Sequence, residues 1–205
     1  MYIPNANRVD DQAQLVAFMR AHSFATLVSH VEGAIFASHL PLTIVEADGH
    51  VVLHGHLAKA NGQWQELATQ SEVLVIFQGP HAYISPQHYA KHESVPTWNY
   101  IAVHAYGAAQ LVTDEQGKLA ALAGLIAATE AGYQQQWDSL PSHFQQGMLN
   151  GIVAFKIAVM RLEGKYKLSQ NRPEGDQERV AAALVHHADS AAQAVGMAMH
   201  AHLLS

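Results

Sequence analysis

Asp48-Gly49 constrains this chain more than any other feature in it. The pair stands between an extended run at residues 34–45 and a second one at 50–57. An Asp-Gly pair accepts positive φ at little cost and closes a tight hairpin, so the flanking runs must pair antiparallel. Glu32-Gly33 is a second turn, joining residues 34–45 to a β-rich run at 24–30. Pro41 lies inside 34–45 and marks an edge, bend or bulge there.

Further along, residues 72–77 form a compact apolar strand, and residues 83–85 read as another. A long strand is expected at 98–112, interrupted by Gly107, and a last one at 151–163. In that last strand Val153, Phe155, Ile157 and Val159 recur at period two and define one face. Helical spacing follows Asp10 or Asp11, which can cap a first helix, and follows Asp114, which can cap another. Short helices are expected at 63–70 and from Ser142, and residues 86–97 read as a loop. Residues 165–172 are a polar coda, and the chain from Glu174 is Ala- and His-rich and helical, with Gly196 interrupting it. From about Asp189 it is expected to be poorly ordered. Hairpin connections outnumber βαβ units, so the fold is α+β and mainly β: an antiparallel barrel with peripheral helices. Closure would remove the sheet edges.

Composition narrows the function classes. Eleven Lys and Arg stand against seventeen Asp and Glu, a formal charge of −6, and no basic cluster is visible. That argues against direct DNA binding, as does the lack of a helix-turn-helix with basic residues on its second helix. Only 14% of residues are charged, well below the roughly 25% of an ordinary soluble domain, which suits a surface partly hidden in an oligomer. Fifteen histidines are present. Protonating half of them near pH 6.5 adds about 7.5 charges and brings the net charge to slightly positive. Cysteine is absent, the N-terminus lacks the regions of a signal peptide, and no apolar run approaches a spanning helix. A cytoplasmic protein is expected.

No P-loop, GxGxxG, HExxH or GxSxG motif occurs. Three clusters carry polar residues at strand ends. In the first, residues 54–64, Lys59 and Asn61 precede a short helix. They read either as an anion site or as a solvated lysine beside a cap. In the second, residues 78–86, Gly79-Pro80 bends the chain and aims His81 and Tyr83 at a cleft, or else makes an ordinary turn. In the third, residues 95–100, Trp98, Asn99 and Tyr100 suit a planar aromatic ligand or plain aromatic packing. His54 and His56 share one strand face, as His200 and His202 would if extended. No carboxylate is spaced to complete a metal site there, and none is assigned.

Six strings in order resemble the PaiB-like family, the FMN-binding negative transcriptional regulators. They are MYIP (1–4), SHLPL (38–42), GHLAKAN (55–61) with Trp64, FQGPHAYISP (77–86), VPTWNY (95–100) and RLEGKYKLSQNR (161–172). The resemblance covers residues 1–180 and leaves 181–205 as a C-terminal helix or tail. It implies an FMN-binding split β-barrel, similar to pyridoxamine-phosphate oxidase, forming a homodimer with flavin sites at the subunit interface. It further implies that Lys59 holds the FMN phosphate, with Asn61 second and His56 in the same string. Ser38, His39, Pro41 and Leu42 would line the isoalloxazine edge, and Trp98, Asn99 and Tyr100 would close the pocket. Gln170 and Arg172 would reach the flavin or the partner subunit. Gly62 stands where proline is expected in relatives, which loosens that turn. The resemblance implies regulation through redox or metabolic sensing. The alternatives are a flavin-dependent oxidoreductase using NAD(P)H and a haem-binding split-barrel protein.

Overall fold

The computed structural model describes residues 1–204. Its elements are β1 (Arg8–Val9), α1 (Gln12–Ala21), β2 (Phe24–Val31), β3 (Ala34–Pro41), β4 (Thr43–Ala47), β5 (His50–Ala58), α2 (Gln63–Leu67) and β6 (Val73–Ile84). There follow β7 (Thr97–Val112), α3 (Glu115–Thr129), α4 (Tyr133–Ser139), α5 (Ser142–Asn150), β8 (Ile152–Lys167), α6 (Glu174–Val185) and α7 (Ser190–Leu203). The strands hydrogen-bond in the order β3-β2-β6-β7-β8-β5-β4, with β1 added against β8. The pairs β1–β8, β2–β3, β2–β6, β4–β5 and β5–β8 are antiparallel. This is the mainly antiparallel split barrel with peripheral helices that the resemblance implies. The sheet does not close: β3 and β4 end the path, so the edges that closure would have removed remain.

Both turns form as expected. Glu32 and Gly33 have φ of 52° and 78°, and Asp48 and Gly49 have 52° and 77°. Two successive residues at positive φ match the right-handed strand twist. Pro41 is the last residue of β3, and the chain bends at Leu42 before β4 begins.

The chain divides into two compact units. One comprises Met1–Leu15, Gln78–Val103 and Glu163–Ser205; the other comprises Val16–Phe77 and His104–Leu162. The core of the second is built on Leu27, Leu53, Phe77, Phe155 and Ile157, all 0% exposed. Gly55 is required there, since a Cβ would stand 2.6 Å from Leu42 Cδ2 and 2.9 Å from Phe155 Cζ. The core of the first gathers Ile84, Val103, Val180, Ala181, Val195 and Met199.

Several expectations are corrected. Residues 72–77 and 83–85 are not separate strands, because β6 runs unbroken through Gly79-Pro80. The register of β2 covers only Leu74, Val75 and Ile76 of β6, so the missing N–H of Pro80 leaves no β2 carbonyl unpaired. Residues 86–97 contain a single turn of 3-10 helix at Pro86–His88. Helix α4 was not foreseen. β8 continues to Lys167 because β1 pairs with Gly164 and Lys165. Beyond Asp189, Ser190–Leu203 form α7, capped by the Asp189 carboxylate on Ala191 N at 2.9 Å. Gly196 does not interrupt α7; it is buried within it. His200 and His202, two apart on a helix, face different directions. Among the described residues no helix is long and apolar enough to cross a membrane.

Candidate functional site

The second unit joins two of the strings. Asn61 Nδ2 donates to Ser38 Oγ at 2.9 Å, linking the end of β5 to β3. Asn61 Oδ1 accepts from Gln63 N at 3.0 Å, so the same side chain also starts α2. Lys59 N donates to Gly151 O at 2.8 Å, and Lys59 O accepts from Trp64 Nε1 at 3.0 Å. Its backbone is therefore held on both sides while its side chain is exposed. No ion pair among the described residues engages its ammonium. His39 is exposed on β3, opposite Thr26 of β2. Pro41 is half-buried. Leu42 is 1% exposed and its N donates to Ser23 O at 2.9 Å.

His56 is half-buried on the face covered by helices. It lines an apolar cavity of about 320 Å³ with Trp137, Phe144 and Met148. Burial holds its imidazole below its usual pKa, so the ring is neutral at pH 7. Neither Lys59 nor Asn61 lines that cavity.

The first unit joins residues of three further strings, 77–86, 95–100 and 161–172. Lys167 Nζ donates to Thr97 Oγ1 at 2.6 Å and to the Trp98 carbonyl. Lys165 Nζ lies 5.2 Å from the Tyr100 ring centroid. Trp98 is 53% exposed and meets Tyr83 edge-on at 5.9 Å and His81 at 6.0 Å. Asn99 does not join them. Alternation along β7 sends it to the opposite face, where it is 0% exposed. There its Nδ2 donates to Ser169 Oγ at 2.9 Å and to Met199 Sδ at 3.5 Å, and its Oδ1 has no protein partner. Gln170 folds onto its own loop, accepting from Leu168 N at 2.7 Å and donating to Tyr166 O at 2.5 Å. Arg172 lies 4.0 Å over the Tyr89 ring. Lys165 and Lys167 escaped the sequence reading, although their alternation in KYK already put both on one strand face. Burial, then Lys165, lowers the Lys167 pKa, and burial pushes the Tyr166 phenol up to about 12.

The comparisons with known proteins decide the family. The family model described as "Putative FMN-binding domain" matches residues 1–161. The chain belongs to the FMN-binding domain family. Within it, the chain is 40% identical over 183 residues to protease synthase and sporulation protein PAI 2 of Bacillus subtilis, covering 88% of this chain and 87% of that protein. Among solved structures, the FAD and heme binding protein of Mycobacterium smegmatis superposes with a TM-score of 0.63 at 15% identity. That match covers 86% of this chain and 80% of that one. The flavocytochrome Anf3 of Azotobacter vinelandii gives 0.61 at 18% identity, covering 78% and 68%. These two likenesses establish the shared fold.

FMN is the cofactor of the FMN-binding domain family, and the second unit's donor set suits it. A phosphate dianion needs a cation and neutral donors on a fixed backbone. Lys59 offers the unpaired cation, and Asn61 and Ser38 offer an amide and a hydroxyl tied to one another. The exposed edge of β3 beside them offers backbone groups to a planar ring.

Proposed function

We propose that this protein is a cytoplasmic FMN-binding homodimer that regulates through the redox or metabolic state of its flavin. The observation that carries the reading is the 40% identity to PAI 2 over nearly the whole chain, joined to the free cation of Lys59. In this reading Lys59 holds the phosphate, Asn61 and Ser38 complete its hydrogen bonds, and the β3 backbone from Ser38 to Leu42 faces the ring edge. Bound FMN supplies reversible one- and two-electron chemistry, and the chain orients it and sets its electrostatics.

Exposed apolar residues support the dimer. Ile35 is 76% exposed and Phe36 40% on β3, and Phe24 is 68% exposed on β2. An apolar edge strand left in water invites pairing, and a second copy would cover it. The acidic balance supports regulation without DNA contact. The test is light scattering with simultaneous visible absorption on protein loaded with FMN and desalted. A species of twice the chain mass that keeps its flavin spectrum is expected. A monomer, or a dimer without flavin, would contradict the reading.

A further inference from the structure

The second unit holds another set of polar groups without protein partners. Three adjacent strands, β4, β5 and β8, place Thr43 opposite His54 and His54 opposite Lys156. Directly opposed residues of antiparallel strands point to the same face. Hydroxyl, imidazole and ammonium therefore form one cross-strand row. All three line a single cleft of about 440 Å³ beneath α3, within the size range of small-molecule sites. No hydrogen bond or ion pair among the described residues engages the three side chains. Asp114 is the acidic residue of the lining, and its carboxylate is occupied in capping α3, accepting from Gly117 N at 2.7 Å. The row thus carries one cation, Lys156, that no anion among the described residues neutralises, beside a hydroxyl and an imidazole.

The residues that α3 contributes to the cleft are small. Val112, Ala121 and Gly124 face the cleft, and a Cβ on Gly124 would meet only Thr43 Cγ2, at 3.8 Å. Glycine there is not required by packing. Its effect is to keep the cleft open. We propose that this cleft is a second ligand site, distinct from that of Lys59, which takes a small organic acid. The carboxylate would lie on Thr43, His54 and Lys156, and the apolar body would lie against α3. Burial and the neighbouring Lys156 both depress the His54 pKa, a penalty that a bound anion would relieve.

Benzoate is the probe, followed by histidine-selective NMR on the full chain, with benzamide as the neutral control. Saturable binding of one benzoate per chain with movement of the His54 signal is expected, and benzamide should bind about tenfold more weakly or worse. Lys156→Met should weaken benzoate by about tenfold through lost charge. Gly124→Leu should abolish it by filling the cleft, with the charges untouched. Lys59→Met should leave benzoate binding in place, so this test stands whether or not flavin is held at Lys59. Equal binding of benzoate and benzamide, or indifference to both cleft variants, would overturn the proposal. So would loss of retained FMN in Lys156→Met together with displacement of benzoate by FMN, since the cleft would then be the flavin's own pocket.

Discussion

Gly62 sits at φ −61° and ψ −14°, and a Cβ there would meet nothing within 4 Å. That φ is the one proline fixes, and proline is the residue the resemblance leads one to expect at this place. Gly62→Pro should therefore stabilise the protein by about 0.4–1 kcal/mol, mainly by restricting the unfolded chain. Urea unfolding would read this as a higher midpoint at unchanged slope. A lower midpoint would mean that Asn61 cannot adopt the extended conformation proline demands of its predecessor. At this scale Asn61 meets Ser38 across 23 residues of chain, because the β4–β5 hairpin brings the end of β5 back beside β3, and Lys59 is exposed just past the end of β5. Asn99 was grouped with Trp98 and Tyr100 because adjacency in a string is easily taken for adjacency in space. The period of two along a strand separates them. Gln170 looked like a residue reaching outward, yet its amide closes its own loop. Nothing in the sequence distinguishes those two uses.

Helix α7 shows what an element-scale reading misses. Its inward face is Ala192, Val195, Gly196 and Met199, and alanine and glycine give little hydrophobic contrast with an Ala-rich exterior. The burial arises from α6 packing beside it. Gly196 is the close point of that packing, because a Cβ would lie 2.7 Å from Val185 N and 3.1 Å from the Ala181 carbonyl oxygen. Gly196→Ala should cost about 1–3 kcal/mol through overpacking, despite alanine's better helix propensity. Met199→Ala should cost about 2–5 kcal/mol, since it opens a cavity beside Asn99. Both are read from equilibrium unfolding. Unchanged stability in both variants would mean that α7 does not pack as described. The hairpins, by contrast, were legible because Asp-Gly and Glu-Gly name their backbone conformation outright. β6 was not, because Gly-Pro signals a break, and only the strand order shows that Pro80 lies beyond the β2 register.

For the whole molecule the histidines set the response to acid. His22, His54 and His56 all have their pKa values lowered from 6.5, chiefly by burial, with Lys156 adding to the effect at His54. In the unfolded chain each would bind a proton near pH 6.5; in the folded protein each resists until lower pH. The unfolded state therefore holds more protons in that window, and stability falls as the pH falls. The full contribution is present above pH 6.5 and is lost as the pH drops through and below it. Thermal unfolding of the flavin-free protein at constant ionic strength should show a midpoint that declines from pH 7.5 to pH 5.5. A midpoint that rose over that interval would contradict the burial of these rings. The count of fifteen histidines announced this sensitivity, but not which rings carry it. Burial decides that, and it depends on long-range packing.

In the proposed function Lys59 anchors the phosphate of FMN, the cofactor of the family. The most direct test is the visible spectrum of wild type and Lys59→Ala after loading with FMN and exhaustive desalting, with folding checked by circular dichroism. One retained flavin per chain in the wild type, and a loss of about tenfold or more in affinity in a folded Lys59→Ala, is the predicted result. Equal retention by the two proteins would contradict it and move the phosphate to another cation.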